Sequence, residues 1–195
     1  GDQRSIEVSA PSEFTSLLSR SLLKSDFLRN AGLGHARRQL LGGDASSRSY
    51  ERIITHKDSL LLMDAPRQPD GPPILNGKPY SQIAHLAEDI SAFVAVDRAL
   101  IDRGLRAPEI RAFDLDHGLI LLEDLGEAGI VDAEGNAIEA RYLRAMEFLC
   151  EVHRQPWPSV LPVNETADHE LPFYDAQAIA IEVSLLLEWY LPRQI

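Results

Sequence analysis

The strongest constraint on this chain is the order in which its hydrophobic periods change. Three short strand-like runs come first, at 39–42, 48–56 and 59–63, followed by a helical period over 82–103 and two more strand-like runs at 108–113 and 119–123. After Gly126 the apolar residues recur at helical spacing. Sheet, helix, sheet and then helices is the order of an α+β fold, here a five-stranded antiparallel sheet with one inserted helix followed by a helical region.

The joints agree with that order. Gly42-Gly43 and His56-Lys57-Asp58 read as turns, Gly104 stands where the inserted helix needs a left-handed cap, and 114–118 turns the last two strands. Between 65 and 80, prolines 66, 69, 72, 73 and 79 with Gly71 and Gly77 predict a long exposed loop without regular structure. One or two amphipathic helices are expected over 12–30, and two more at 139–154 and 175–191. The last is apolar on nearly every side, through Ile179, Ile181, Val183, Leu185, Leu186, Leu187, Trp189 and Tyr190. Such a helix expects burial, which predicts a homo-oligomer through this helix or an abbreviated chain.

Composition narrows the function classes. With 195 residues, 45% apolar and 25% charged, the chain can bury one good core or two small ones. Its net charge of −11 argues against a nucleic-acid partner, whose phosphates are held by clustered Lys and Arg. No run of eighteen apolar residues predicts a membrane span and no leader is evident, so the expected location is cytoplasmic. Cys150, the single cysteine, follows Phe148 and Leu149 and is expected to be buried.

Among motifs, the turn before the second strand carries most. Gly42 and Gly43 precede Asp44, Ala45, Ser46 and Ser47, small enough to let backbone N–H groups approach a phosphate, and Arg48 adds a charge-assisted donor. A plain hairpin turn with solvated serines is the competing reading. Other constellations are poor: there is no His-Glu-x-x-His, no paired cysteine spacing, no Gly-x-Ser-x-Gly and no Walker loop, so no metal site and no catalytic residue are assigned. His56-Lys57-Asp58 reads as a hairpin turn, and Asp114-Leu115-Asp116 as solvated turn formers.

Five ordered segments then carry a resemblance: 43–50 (GDASSRSY), 61–66 (LLMDAP), 104–108 (GLRAP), 121–126 (LLEDLG) and, together, 171–175 (LPFYD) with 188–191 (EWYL). From about Phe27 onward the chain resembles the aminoglycoside phosphotransferase-like family, on its branch of bacterial kinases that phosphorylate the anomeric hydroxyl of N-acetylmuramate or N-acetylglucosamine. The resemblance implies an N-terminal helical segment or linker at 1–26, a protein-kinase-like nucleotide-binding N-lobe at 27–126 and part of a helical C-lobe at 127–195, a truncated kinase fold. It also implies ATP and Mg²⁺ as cofactors, the metal ligands lying outside this chain, and an amino sugar as the second partner. The nucleotide would be held by Gly43, Asp44, Ala45, Ser46, Ser47 and Arg48 at the phosphates and by Glu123, Asp124 and Leu125 at the adenine hinge; an ordinary strand end is the alternative at the second place.

The chain departs from the family's pattern where Ser47 and Ser49 replace Phe and Arg. Its third strand also offers no lysine for the phosphates, and Glu88, read mainly as a solvated helix residue, would need a partner such as Arg48. The family's catalytic His-x-Asp loop and Asp-x-Asp segment have no counterpart, so the chain alone is expected to be inactive. A non-enzymatic kinase-like module that binds a nucleotide or a protein is the alternative reading.

Overall fold

The computed structural model describes residues 13–42 and 48–193. A helix, α1 (Glu13–Asn30), leads into three antiparallel strands: β1 (Arg37–Leu40), β2 (Ser49–Ile54) and β3 (Ser59–Asp64). A short hairpin follows, β4 (Pro73–Leu75) and β5 (Lys78–Pro79), then a single helical turn, α2 (Tyr80–Ile83), and the longer α3 (Ser91–Asp102). Strands β6 (Ile110–Asp114) and β7 (Leu119–Glu123) complete the main sheet, whose order is β1-β2-β3-β7-β6, antiparallel throughout. Beyond it lie α4 (Glu139–Arg154), the hairpin β8 (Val160–Pro162) and β9 (Asp168–Glu170), and α5 (Ala176–Leu185).

Alternation along the strands explains how both faces of the sheet are covered. Ile53, Leu60, Leu62, Leu119 and Leu121 point to one side and bury Leu28 of α1, with Phe27 packed beside it. Met63, Ile120 and Leu122 point to the other and meet Val94, Ala95 and Ala99 of α3, while Leu161 and Val163 of the β8 arm close the far side. Arg98 adds a tie across that junction, donating to the Val163 carbonyl and lying 5.1 Å over the Phe113 ring.

The polar end of α1 is bound to the sheet as firmly as its apolar end. Arg20 reaches Asp64 at 2.5 Å and the His117 carbonyl at 2.6 Å, and Lys24 reaches Glu51 at 2.6 Å. Arg38 of β1 holds the same Glu51 carboxylate through two hydrogen bonds. Burial pulls the Glu51 carboxyl upward, but Arg38 and Lys24 outweigh it and hold it below the usual range. The helix runs unbroken across position 26, so residues on both sides of it belong to one packed unit with the sheet.

Four expectations need correction. The proline-rich stretch is not wholly irregular: Asn76 (φ 52°) and Gly77 (φ 76°) form the turn of the β4–β5 hairpin. Asn-Gly favours this turn because both positions need positive φ, and Pro73 and Pro79 are tolerated because the ribbon has only two strands. The helix expected over 82–103 is broken at His85, which has φ 52°; the chain restarts at Ser91, where the Asp89 carboxylate accepts from the Ser91 N–H and hydroxyl. Cys150 is exposed, because α4 buries none of its residues.

The last helix also differs. It is α-helical only to Leu185, widens into a π-turn over Leu186–Tyr190 and tightens to a 3₁₀ turn at Leu191–Arg193. Pro192 lacks an N–H and its ring crowds the carbonyl four residues back, which accounts for the distortion. Most of its large side chains are exposed, with Leu187 and Trp189 each at 61%. Ala178 is its buried contact, while Tyr80 ties it to α2 through a 2.6 Å hydrogen bond to Glu182. No helix among the described residues is long and apolar enough to cross a membrane.

Candidate functional site

The loop residues Gly43, Asp44, Ala45, Ser46 and Ser47 lie outside the described residues. Arg48, immediately before β2, lines a small cleft with Met63 at the end of β3 and with Glu88 and Phe93 at the entry to α3. Glu88 lies outside α3, in the segment leading to it, and its carboxylate is 3.2 Å from Arg67.

At the other end of β2 the chain leaves β7 through Glu123, Asp124 and Leu125. The three residues do different work. Glu123 turns back toward β6, accepting from Arg106 at 2.6 Å and from the Glu109 N–H at 3.1 Å, and Arg106 first among its partners depresses its pKa. Asp124 is almost wholly buried and accepts from Arg52 Nε at 2.7 Å, Ser59 Oγ at 2.7 Å and the Gly126 N–H at 2.9 Å. Burial pushes its carboxyl up, but those donors prevail and hold it below the ordinary carboxylate range. Leu125 is 55% exposed, and its backbone N–H and C=O form no hydrogen bond with the described residues.

Arg52 was invisible as a site residue in the sequence, yet it ties β2 to the segment after β7. Its guanidinium also reaches Glu127 at 2.7 Å, so the segment after β7 is held on both sides of Gly126 (φ 81°). The signal available was alternation: Tyr50, Arg52 and Ile54 share a half-buried face of β2, and a charged residue on that face calls for a partner.

Arg48 and Arg52 are four residues apart on one extended run, about 13 Å. The cleft at Arg48 and the open backbone after β7 therefore lie toward opposite ends of β2.

The motifs set aside earlier are turns in the structure. Thr55 Oγ1 accepts from the Lys57 and Asp58 N–H groups and donates to Asp58 Oδ1 at 2.6 Å, closing the β2–β3 hairpin. Asp114 accepts from the His117 N–H and faces its ring Nδ1 at 2.8 Å in the β6–β7 turn. Gly118 in that turn has φ 65°, and a Cβ there would collide with the Ala65 carbonyl, so the glycine is required on both counts. Among the described residues no three His, Cys, Asp or Glu side chains converge as metal ligands would. An open cavity lies elsewhere, between 81–92 and 169–172, with His85 and His169 among its walls.

Among known proteins, the chain is similar to bacterial N-acetylmuramate/N-acetylglucosamine kinases. N-acetylmuramate/N-acetylglucosamine kinase of Caulobacter vibrioides is 36% identical over 182 residues, covering 87% of this chain and 50% of that protein. The chain is a homologue of these kinases. Proteins of the same name from Pseudomonas putida and Pseudomonas aeruginosa are 31% and 32% identical over 153 and 154 residues, each match covering 78% of this chain and 37% of the relative. The chain thus spans about half, or less, of the length of these homologues. No family model matches it.

Proposed function

We propose that this chain is the ATP-binding portion of an amino-sugar kinase of the aminoglycoside phosphotransferase type. The observation that carries the reading is the sheet β1-β2-β3-β7-β6 with α3 inserted between β3 and β6 and an open backbone edge at Leu125 directly after β7. Kinase-like N-lobes place the adenine at such a strand exit, where a free N–H and C=O imitate a base-pairing edge. The similarity to proteins named N-acetylmuramate/N-acetylglucosamine kinase supports an amino-sugar acceptor for the ATP γ-phosphoryl group, and the family that the sequence resembles implies its anomeric hydroxyl.

Within this reading, Glu123, Asp124 and Leu125 form the hinge, but Leu125 meets the base through its backbone. Asp124 acts indirectly, its carboxylate being committed to Arg52, Ser59 and Gly126. The phosphates lie toward the other end of β2, at Gly43, Asp44, Ala45, Ser46, Ser47 and Arg48. Mg²⁺ would neutralise charge on the triphosphate as it reacts; no ligand for it is assigned to the described residues.

Hydrogen exchange of the hinge amides tests the reading. Saturating ATP is expected to slow exchange at Leu125 and Gly126 and leave the β4–β5 hairpin unchanged. Equal exchange at Leu125 with and without ATP refutes the hinge assignment.

A further inference from the structure

Positive charge is scarce in this chain, which carries 30 acidic side chains against 19 lysines and arginines. Its arginines are largely committed: Arg20, Arg38, Arg52 and Arg106 to carboxylates, Arg98 and Arg103 to backbone carbonyls and aromatic rings. One cavity departs from that pattern. It has a volume of about 420 Å³, the size of a small-molecule site, and lies where α1 gives way to β1 and where β2 ends. Leu33, Ala36 and Ile54 give it apolar walls, and Arg37, His35 and His56 line it as well. The side chains of Arg37, His35 and His56 have no hydrogen bond or ion pair among the described residues.

Strand register explains why Arg37 stands apart. Arg38 pairs with Ile53 and points with it to the α1 side, where it is held by Glu51. Arg37, opposite Ile54, points to the other side of β1 and is exposed. Neighbouring acceptors are engaged elsewhere. Asp58 accepts from the Thr55 hydroxyl at 2.6 Å, and Glu51 is shared by Arg38 and Lys24. The end of α1 is closed off too: Gly32 (φ 77°) turns the chain, and the Leu28 carbonyl accepts the Leu33 N–H at 2.8 Å. Leu33 and Ala36 pack against the core beneath α1, so the apolar side of the cavity is fixed to the sheet.

We propose that this cavity binds a small organic anion, a compact apolar body carrying one phosphate or carboxylate group. The apolar walls take the body. Arg37 takes the anionic group through its planar fork, and His35 and His56 each offer a ring N–H, which an imidazole keeps in either charge state. The site is separate from the cleft at Arg48, which lies toward the other end of β2. The proposal does not depend on nucleotide binding.

Amide chemical shifts of the full chain test it, with phenyl phosphate, benzoate and benzyl alcohol as probes of similar body and different charge. The two anions should move the amides of Leu33, Ala36, Arg37 and Thr55 saturably, and the tighter of them identifies the anionic group that the site prefers. Benzyl alcohol should bind on the order of tenfold more weakly, for want of a charged hydrogen bond. Arg37→Met should lose a similar factor for the anions, and Arg37→Lys should recover part of it. Unshifted amides of α3 report that a variant is folded; where Arg37→Met fails that check, His56→Ala supplies the comparison, with weaker anion binding expected. The proposal is overturned if neither anion moves these amides, if benzyl alcohol binds as tightly as the anions, or if the folded variant binds them as tightly as the wild type.

Discussion

Arg52 Nε donates to Asp124 Oδ2 across 2.7 Å, joining the middle of β2 to the first residue beyond β7. Seventy-two positions separate the two in sequence, and the strand between them in the sheet, β3, contributes Ser59 to the same carboxylate oxygen. Because Asp124 is the residue before the open backbone at Leu125, this contact sets where that backbone stands relative to the sheet.

Removing the carboxylate should therefore cost both stability and order. Asp124→Ala leaves Arg52 paired only with exposed Glu127 and frees Ser59; a loss of about 2–4 kcal/mol is expected, under the ~3–5 kcal/mol of a fully buried charged pair because Arg52 is partly exposed. Urea denaturation measures it, and a loss below about 0.5 kcal/mol, the scale of a surface substitution, would show that the contact does not anchor the strand exit.

Acid should undo the same contacts. Glu51 and Asp124 both have folded pKa values below their ordinary ones. Their stabilising contribution is fully present above the unfolded values, about 4, and is lost as the pH falls through the depressed folded values. Unfolding followed by circular dichroism should begin below about pH 4, and Glu51→Gln should flatten the acid limb of the curve.

Asp97 of α3 behaves in the opposite sense. It is 4% exposed, neither carboxylate oxygen has a hydrogen-bond partner among the described residues, and burial raises its pKa to about 6. An acid whose folded pKa is raised destabilises the fold once it ionises: the penalty starts near the unfolded value of about 4, grows to about pH 6 and is constant above. Asp97→Asn should accordingly stabilise the chain by about 1–3 kcal/mol at pH 7.5 and make little difference at pH 4. Denaturation midpoints at the two pH values check it, and equal shifts at both would refute the ionised, unpaired Asp97.

These contacts mark what the sequence could and could not disclose. The five strands were legible because their apolar residues alternate and glycine or polar turns bound them, and Gly104 ends α3 with φ 73° as its position suggested. The β4–β5 hairpin was obscured because five prolines outweighed one Asn-Gly pair, although that pair is the stronger local signal. The break at His85 left no signal, since a left-handed histidine is imposed by its surroundings and not by its type. The ion pairs of Arg20 and Lys24 on α1 were not legible, because two bases four residues apart on a helix read as a solvated face and their partners Asp64 and Glu51 are distant in sequence. Cys150 was misread because its apolar neighbours Phe148 and Leu149 suggest a buried helix, whereas α4 buries none of its residues.

The exposed apolar side chains of α5 and the turns after it lead to a prediction about assembly. If a second copy covers them, light scattering should give a mass above the 21.7 kDa of one chain, and Leu187→Glu with Trp189→Glu should return it to that value. A monomer in the unmodified chain would rule out self-association.

Phosphoryl transfer is not expected from the chain by itself. The described motifs nearest to a catalytic pattern are occupied in turns: Asp58 with Thr55, Asp114 with His117. Incubation with ATP, Mg²⁺ and N-acetylmuramate should leave the sugar unphosphorylated, and turnover would place a catalytic base within this chain.

A nucleotide held between the Leu125 backbone and the Arg48 end of β2 should be seen in calorimetric titration of the purified chain with ATP. A saturable, one-to-one heat, accompanied by a rise in melting temperature, is the predicted result. Absence of heat together with an unchanged melting temperature would contradict it.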